Sequence, residues 1–233
     1  MLRTRLGMSM GLPAHECTCA VAASAVGGRA ANEPAWNDYH ARVCPFGGHT
    51  QMGHNAVVGA LVDTLASWGL QPQAEQRTVF RDDPGKMRMD IVLARPGGAR
   101  LCVEVSVRDA GAANCLGGAA QQRGAIAALR AEEKRTKYAD KLCDDCELAV
   151  YACDNFGAVA PETLALLGRL VGFGQRTTQG HAGDLRAQLL RALSAAYFKG
   201  LAGRYGRHTG GQTAHPLAGA CRGAPIIRTR CEA

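Results

Sequence analysis

The stretch between positions 88 and 107 constrains the fold more than any other part of the chain. Leu101, Val103, Val105 and Val107 alternate with Cys102, Glu104, Ser106 and Arg108, which is the period of a β-strand. Residues 88–94 read as a second strand, and Pro96-Gly97-Gly98 between the two is a turn signal. In a hairpin turning about Gly97, residues equally far from it face each other, and Asp90 and Glu104 are both seven positions away. Asp90 then shares its face with Arg88 and Val92, and Glu104 with Cys102 and Ser106. The two acids become cross-strand neighbours with Cβ atoms about 4.5–5.5 Å apart, an arrangement that destabilises a sheet unless something offsets the charge. A divalent cation between them would do so, because Mg²⁺ takes one or two carboxylates together with waters and phosphate oxygens. The alternative is a one-residue register shift, which leaves two ordinary surface acids.

The remaining elements follow from periodicity. Val57, Val58, Leu61, Leu65 and Trp68 fall on one helical face, with Gly69 as a stop. A short strand is expected over 73–80, followed by the acidic turn Arg81-Asp82-Asp83-Pro84-Gly85. A charged helix is expected over 119–141, a strand over 147–153, and a helix over 161–171 with Pro161 in its first turn. The order is helix, three strands, helix, strand, helix, which predicts an α/β sandwich. Four regions result: a Cys/His-rich leader over 1–50, a core over 51–175, a C-terminal helix within 176–205, and a Gly/Pro/Arg-rich tail over 206–233 expected to be disordered.

Charge is unevenly spread. Residues 1–168 carry 17 Lys/Arg and 18 Asp/Glu, whereas residues 169–233 carry 10 and 2. The basic third suits a polyanionic partner, although a solvated basic tail has the same composition. Ten cysteines in a chain that is 47% hydrophobic and has no secretory signal point to reduced thiols in an intracellular compartment rather than a disulfide scaffold. No run of apolar residues is long enough to span a membrane.

Several of these residues together carry a resemblance. Arg88-Met89-Asp90, Glu104 fourteen positions on, and then Lys134-Arg135-Thr136-Lys137-Tyr138 resemble the endonuclease domain of site-specific non-LTR retrotransposons. That family belongs to the PD-(D/E)xK nucleases, and the order of elements matches their core of a helix, three strands, a helix and a strand. His54-Asn55 resembles an Arg-His-Asn element upstream of the domain. The resemblance spans roughly residues 15–205. It implies a DNA-nicking enzyme using Mg²⁺ or Mn²⁺, with Asp90 and Glu104 as metal ligands and Lys134 or Lys137 as the electrostatic helper. Arg88, Tyr138, Lys141, His54 and Asn55 become nucleic-acid contacts, and Glu75 a weaker candidate for completing the metal site. Two departures stand out: Met89 replaces the usual proline, and Ser106 stands where many PD-(D/E)xK enzymes carry a lysine.

Cys17-x-Cys19 and His40-x-x-x-Cys44 form a CCHC-like pair of pairs that fits tetrahedral zinc, with His49 and His54 as substitutes. Similar modules precede the endonuclease domain in these retroelements. Cys143-x-x-Cys146 and Cys153 read as buried small residues, and Cys221 and Cys231 carry no readable role. With no reverse-transcriptase region in the chain, a tail, fragment or domesticated descendant is expected, with DNA as partner and a reverse transcriptase or RNA as a further one. In a eukaryote the location would be nuclear. The competing readings are a nucleic-acid-binding module that has lost catalysis and a retroelement remnant without a selected role.

Overall fold

The computed structural model describes residues 49–81, 86–95, 97–108, 115, 122–155 and 157–208. They form an α/β structure with a four-stranded mixed sheet and four helices. Helix α1 (His49–Ser67) leads into strands β1 (Gln73–Gln76), β2 (Met89–Ala94) and β3 (Arg100–Arg108). Helix α2 (Ala125–Tyr138), strand β4 (Cys146–Asp154), helix α3 (Pro161–Thr178) and helix α4 (Ala182–His208) follow.

The sheet order is β1-β2-β3-β4, with the first three strands antiparallel and β4 parallel to β3. A parallel neighbour requires a crossover, and α2 supplies it. The β2–β3 hairpin closes at Gly97 and Gly98, and the Arg95 amide donates to the Ala99 carbonyl at 2.8 Å. Its ladder runs from Ala94↔Arg100 to Ile91↔Val103, the register expected for a turn about Gly97.

Both faces of the sheet are covered. Ile91, Leu93, Leu101, Val103, Val105, Tyr151 and Cys153 pack on one side against α1, α3 and α4. On the other side Val150 and Ala152 lie under Ala127 and Ala131 of α2, while Val92 and Cys102 join Val79, Phe80, Tyr138 and Leu142. Met89 joins this second cluster, fully buried, although strand alternation assigns it to the side of Ile91. It still pairs with Gln76 of β1, and its flexible thioether reaches the second cluster from there.

Three expectations shift. The strand over 73–80 ends at Gln76, leaving Phe80 as an isolated bridge to Leu142. Helix α2 is shorter than 119–141, starting after Gly124 in a left-handed conformation (φ 82°) and stopping at Tyr138. The helix set apart at the C-terminal end belongs to the main core instead, through Leu185, Leu189 and Leu193. Residues 1–48, the acidic stretch 82–85 and the tail from 209 lie outside the described residues. Among those described, no helix is long and apolar enough to cross a membrane.

Candidate active site

Asp90 and Glu104 are the next residues along the β2–β3 register after the last paired step, Ile91↔Val103. At this point the strands exchange a different bond: the Val105 amide donates to Asp90 Oδ2 at 2.7 Å. The interaction fixes the carboxylate while leaving Oδ1 for other partners. Asp90 is 8% exposed and Glu104 4%, so both acids are buried. Helix α2 covers the alternate positions of β3, with Lys134 and Tyr138 against Glu104 and Arg130 against Ser106. Cys102, Glu104 and Ser106, the polar half of the strand pattern, therefore lie between layers rather than against water.

Helix α2 brings cations to the acids. Lys134 and Tyr138 are one turn apart and share a side of the helix, with Lys137 beside them. Lys134 forms an ion pair with Glu104, both side chains largely buried. The Tyr138 hydroxyl donates to the same Glu104 oxygen at 3.4 Å, and Lys137 donates to that hydroxyl at 3.1 Å. Lys137 also lies over the Tyr138 ring, 4.7 Å from its centroid. Burial pushes the Glu104 carboxyl above the usual range and the charge of Asp90 pushes it further, with Lys134 opposing both. Burial and the Glu104 charge push the Tyr138 phenol up to about 12, so it remains a hydrogen-bond donor at neutral pH.

From the other side α1 contributes His54, whose Nε2 lies 3.2 Å from Asp90 Oδ1. Burial lowers the His54 pKa. The hydrogen bond to Asp90 and the charges of Asp90 and Glu104 outweigh that effect, and the net direction is up. The acids thus sit on the floor of a cleft of about 390 Å³ whose lining also includes Lys86, Arg88, Arg130, Lys134 and Lys137. Arg130 donates from Nε to Ser106 Oγ at 2.9 Å and from a terminal nitrogen to Glu133 at 2.6 Å. Glu133 in turn holds Arg108 at 2.8 and 2.9 Å.

Two acids and five cations thus line one cleft, with negative charge on its strands and positive charge around them. Among the described residues no group of three or more His, Cys, Asp or Glu is arranged to hold a metal. A carboxylate pair is nevertheless a sufficient protein contribution for Mg²⁺, whose other positions go to water and phosphate oxygens. Asp90 and Glu104 fit such an ion by donor chemistry, by shared access to the cleft, and by the mutual repulsion that an ion would relieve.

The structure brings together Asp90, Glu104, Lys134, Lys137, Arg88 and His54 at this cleft. Tyr138 lines it too, but as a buried side chain, 3% exposed and 5.8 Å from the Phe80 ring, where no base can stack. Glu75 is not part of the lining: β1 holds it in an exposed ion pair with Arg88 at 3.1 Å. Asn55 is exposed and accepts a bond from Gln51, and Lys141 lies past the end of α2. Cys143 and Cys146, expected to be buried, are half-buried. The zinc candidates Cys17, Cys19, His40 and Cys44 lie outside the described residues.

Sequence reasoning missed Arg130, although its position one helical turn before Lys134 was a usable signal. It also read the first helix only from the apolar face that starts at Val57, whereas the helix begins at His49, so that His54 lies within it and reaches the first acid. No family model and no curated protein matches this chain.

Proposed function

We propose that the chain is a metal-dependent DNA endonuclease that nicks its substrate, built on the PD-(D/E)xK plan and derived from a retroelement. One observation carries the reading. Two buried carboxylates on neighbouring strands, Asp90 and Glu104, share a cleft with the helix-borne ammonium of Lys134 and a basic rim.

Asp90 and Glu104 would hold Mg²⁺ or Mn²⁺, which supplies Lewis acidity at the scissile phosphate and a more acidic bound water. The chain's own groups do the rest. The Val105 amide and His54 fix the two oxygens of Asp90 in direction. Lys134 offsets the charge of Glu104, and an ammonium at that place also offsets charge gathering on the phosphate in the transition state. Tyr138 holds Glu104 from the core side. The rim cations draw in the backbone and register it without reading bases.

The test is nicking of supercoiled plasmid by the full chain with Mg²⁺ or Mn²⁺. Asp90→Ala is expected to lower the rate by at least about a hundredfold while the circular dichroism spectrum stays unchanged. Wild type that nicks no better than Asp90→Ala with either metal would sink the enzyme reading. DNA binding that persists in that case would favour a module that has lost catalysis.

A further inference from the structure

We propose that Arg130 is the group that grips the substrate phosphate in this cleft, held in place by Ser106 and Glu133. The role rests on the endonuclease reading above and adds a residue to it. A phosphodiester entering the cleft needs a cation that is not already committed to an acid of the site. Lys134 is committed to Glu104, and Lys137 lies against the hydroxyl and ring of Tyr138. Arg88 reaches outward to Glu75, and Lys86, also in the lining, offers a point charge on a flexible stem rather than a planar fork.

Arg130 stands one helical turn before Lys134, so both side chains reach the same cleft. Its anchors are an uncharged hydroxyl and a carboxylate that already serves a second arginine. Arg108, Arg130 and Glu133 together keep one positive charge at this end of the cleft, whereas the Lys134–Glu104 pair is neutral. Guanidinium carries five N–H donors in a rigid fork, and the bonds to Ser106 and Glu133 use two of them. The fork suits phosphate oxygens, which it can meet with two parallel bonds. Ser106 is only two residues from Glu104 on the same strand face, so the gripped phosphate is next to the acids.

The test separates grip from chemistry by measuring binding without metal. Full-length protein is titrated onto a fluorescein-labelled duplex oligonucleotide in EDTA across a salt series. Arg130→Gln is expected to weaken binding about tenfold. It should also lower the slope of log affinity against log salt by about 0.9, the value for one phosphate contact. Arg169→Gln, which removes the same charge from α3 at an exposed pair with Glu147 of β4, is expected to change neither. Ser106→Ala keeps the charge but frees the fork, so the slope should hold while affinity falls a few-fold, roughly the strength of one hydrogen bond. Equal affinity and slope for Arg130→Gln and wild type would overturn the proposal, as would an equal loss in Arg169→Gln. Should Arg130→Gln fail to fold, unchanged binding by Ser106→Ala overturns it instead. Because no cleavage is needed, a wild type that binds but never nicks removes the enzyme reading and leaves this one standing.

Discussion

Tyr138 belongs to two parts of the molecule at once. Its ring packs with Phe80, Val79 and Leu142, and its hydroxyl reaches the acid that Lys134 holds. Tyr138→Phe keeps the ring and removes only the donor. Stability should fall by no more than about 1 kcal/mol, the net worth of one hydrogen bond, while plasmid nicking falls about tenfold as Glu104 loses a restraint. Tyr138→Ala empties the ring site and should cost about 3–5 kcal/mol in a urea melt. Equal nicking by Tyr138→Phe and wild type would reduce the tyrosine to packing. At this scale the sequence was legible for Asp90 and Glu104, because the hairpin register relates residues close in number, whereas Lys134, 30 positions from Glu104, entered only through the family resemblance. Arg130 and His54 were harder to read, since each takes its meaning from a partner 24 or 36 positions away.

Among the elements, the contact of α1 with α4 governs where His54 sits. The two helices approach so closely at Gly53 and Gly200 that a Cβ on Gly200 would lie 2.8 Å from the Gly53 Cα. Backbone cannot yield there as a flexible side chain would. Gly200→Ala is therefore expected to push the helices apart and to destabilise the protein by about 1–3 kcal/mol, the usual effect of overpacking. His54 adjoins Gly53, so the displacement should also loosen its contact with Asp90 and lower nicking. A thermal melt that matches wild type would show that the crossing has slack. Strand β3 teaches a related lesson. Its alternation was read as one apolar and one polar face, yet α2 covers the second face, and the polar residues there are buried functional candidates.

For the molecule as a whole, one core unites helices from both ends of the described chain. Leu189 of α4 is 1% exposed within the cluster that contains Leu61 of α1 and Val103 of β3. Trp68 at the end of α1 also donates to Gln188 of α4 at 2.8 Å. If α4 is integral, Leu189→Ala should remove about 2–5 kcal/mol from the single unfolding transition, measured by urea titration. A change below about 0.5 kcal/mol, or a separate early transition for α4, would return that helix to the status of an appendage. The sequence suggested the appendage because Gly180 separates α4 from α3 and no local pattern says what lies against a leucine stripe.

The order of the elements and the hairpin register were determined by the sequence alone, because turn chemistry and side-chain periods act over a few residues. The register in turn made the two acids neighbours. Tertiary packing decided the rest: that α2 covers Glu104, that His54 and Arg130 join the acids, and that α4 completes the core. Those outcomes depend on which surfaces exclude water from one another across long stretches of chain, and no local period encodes that choice.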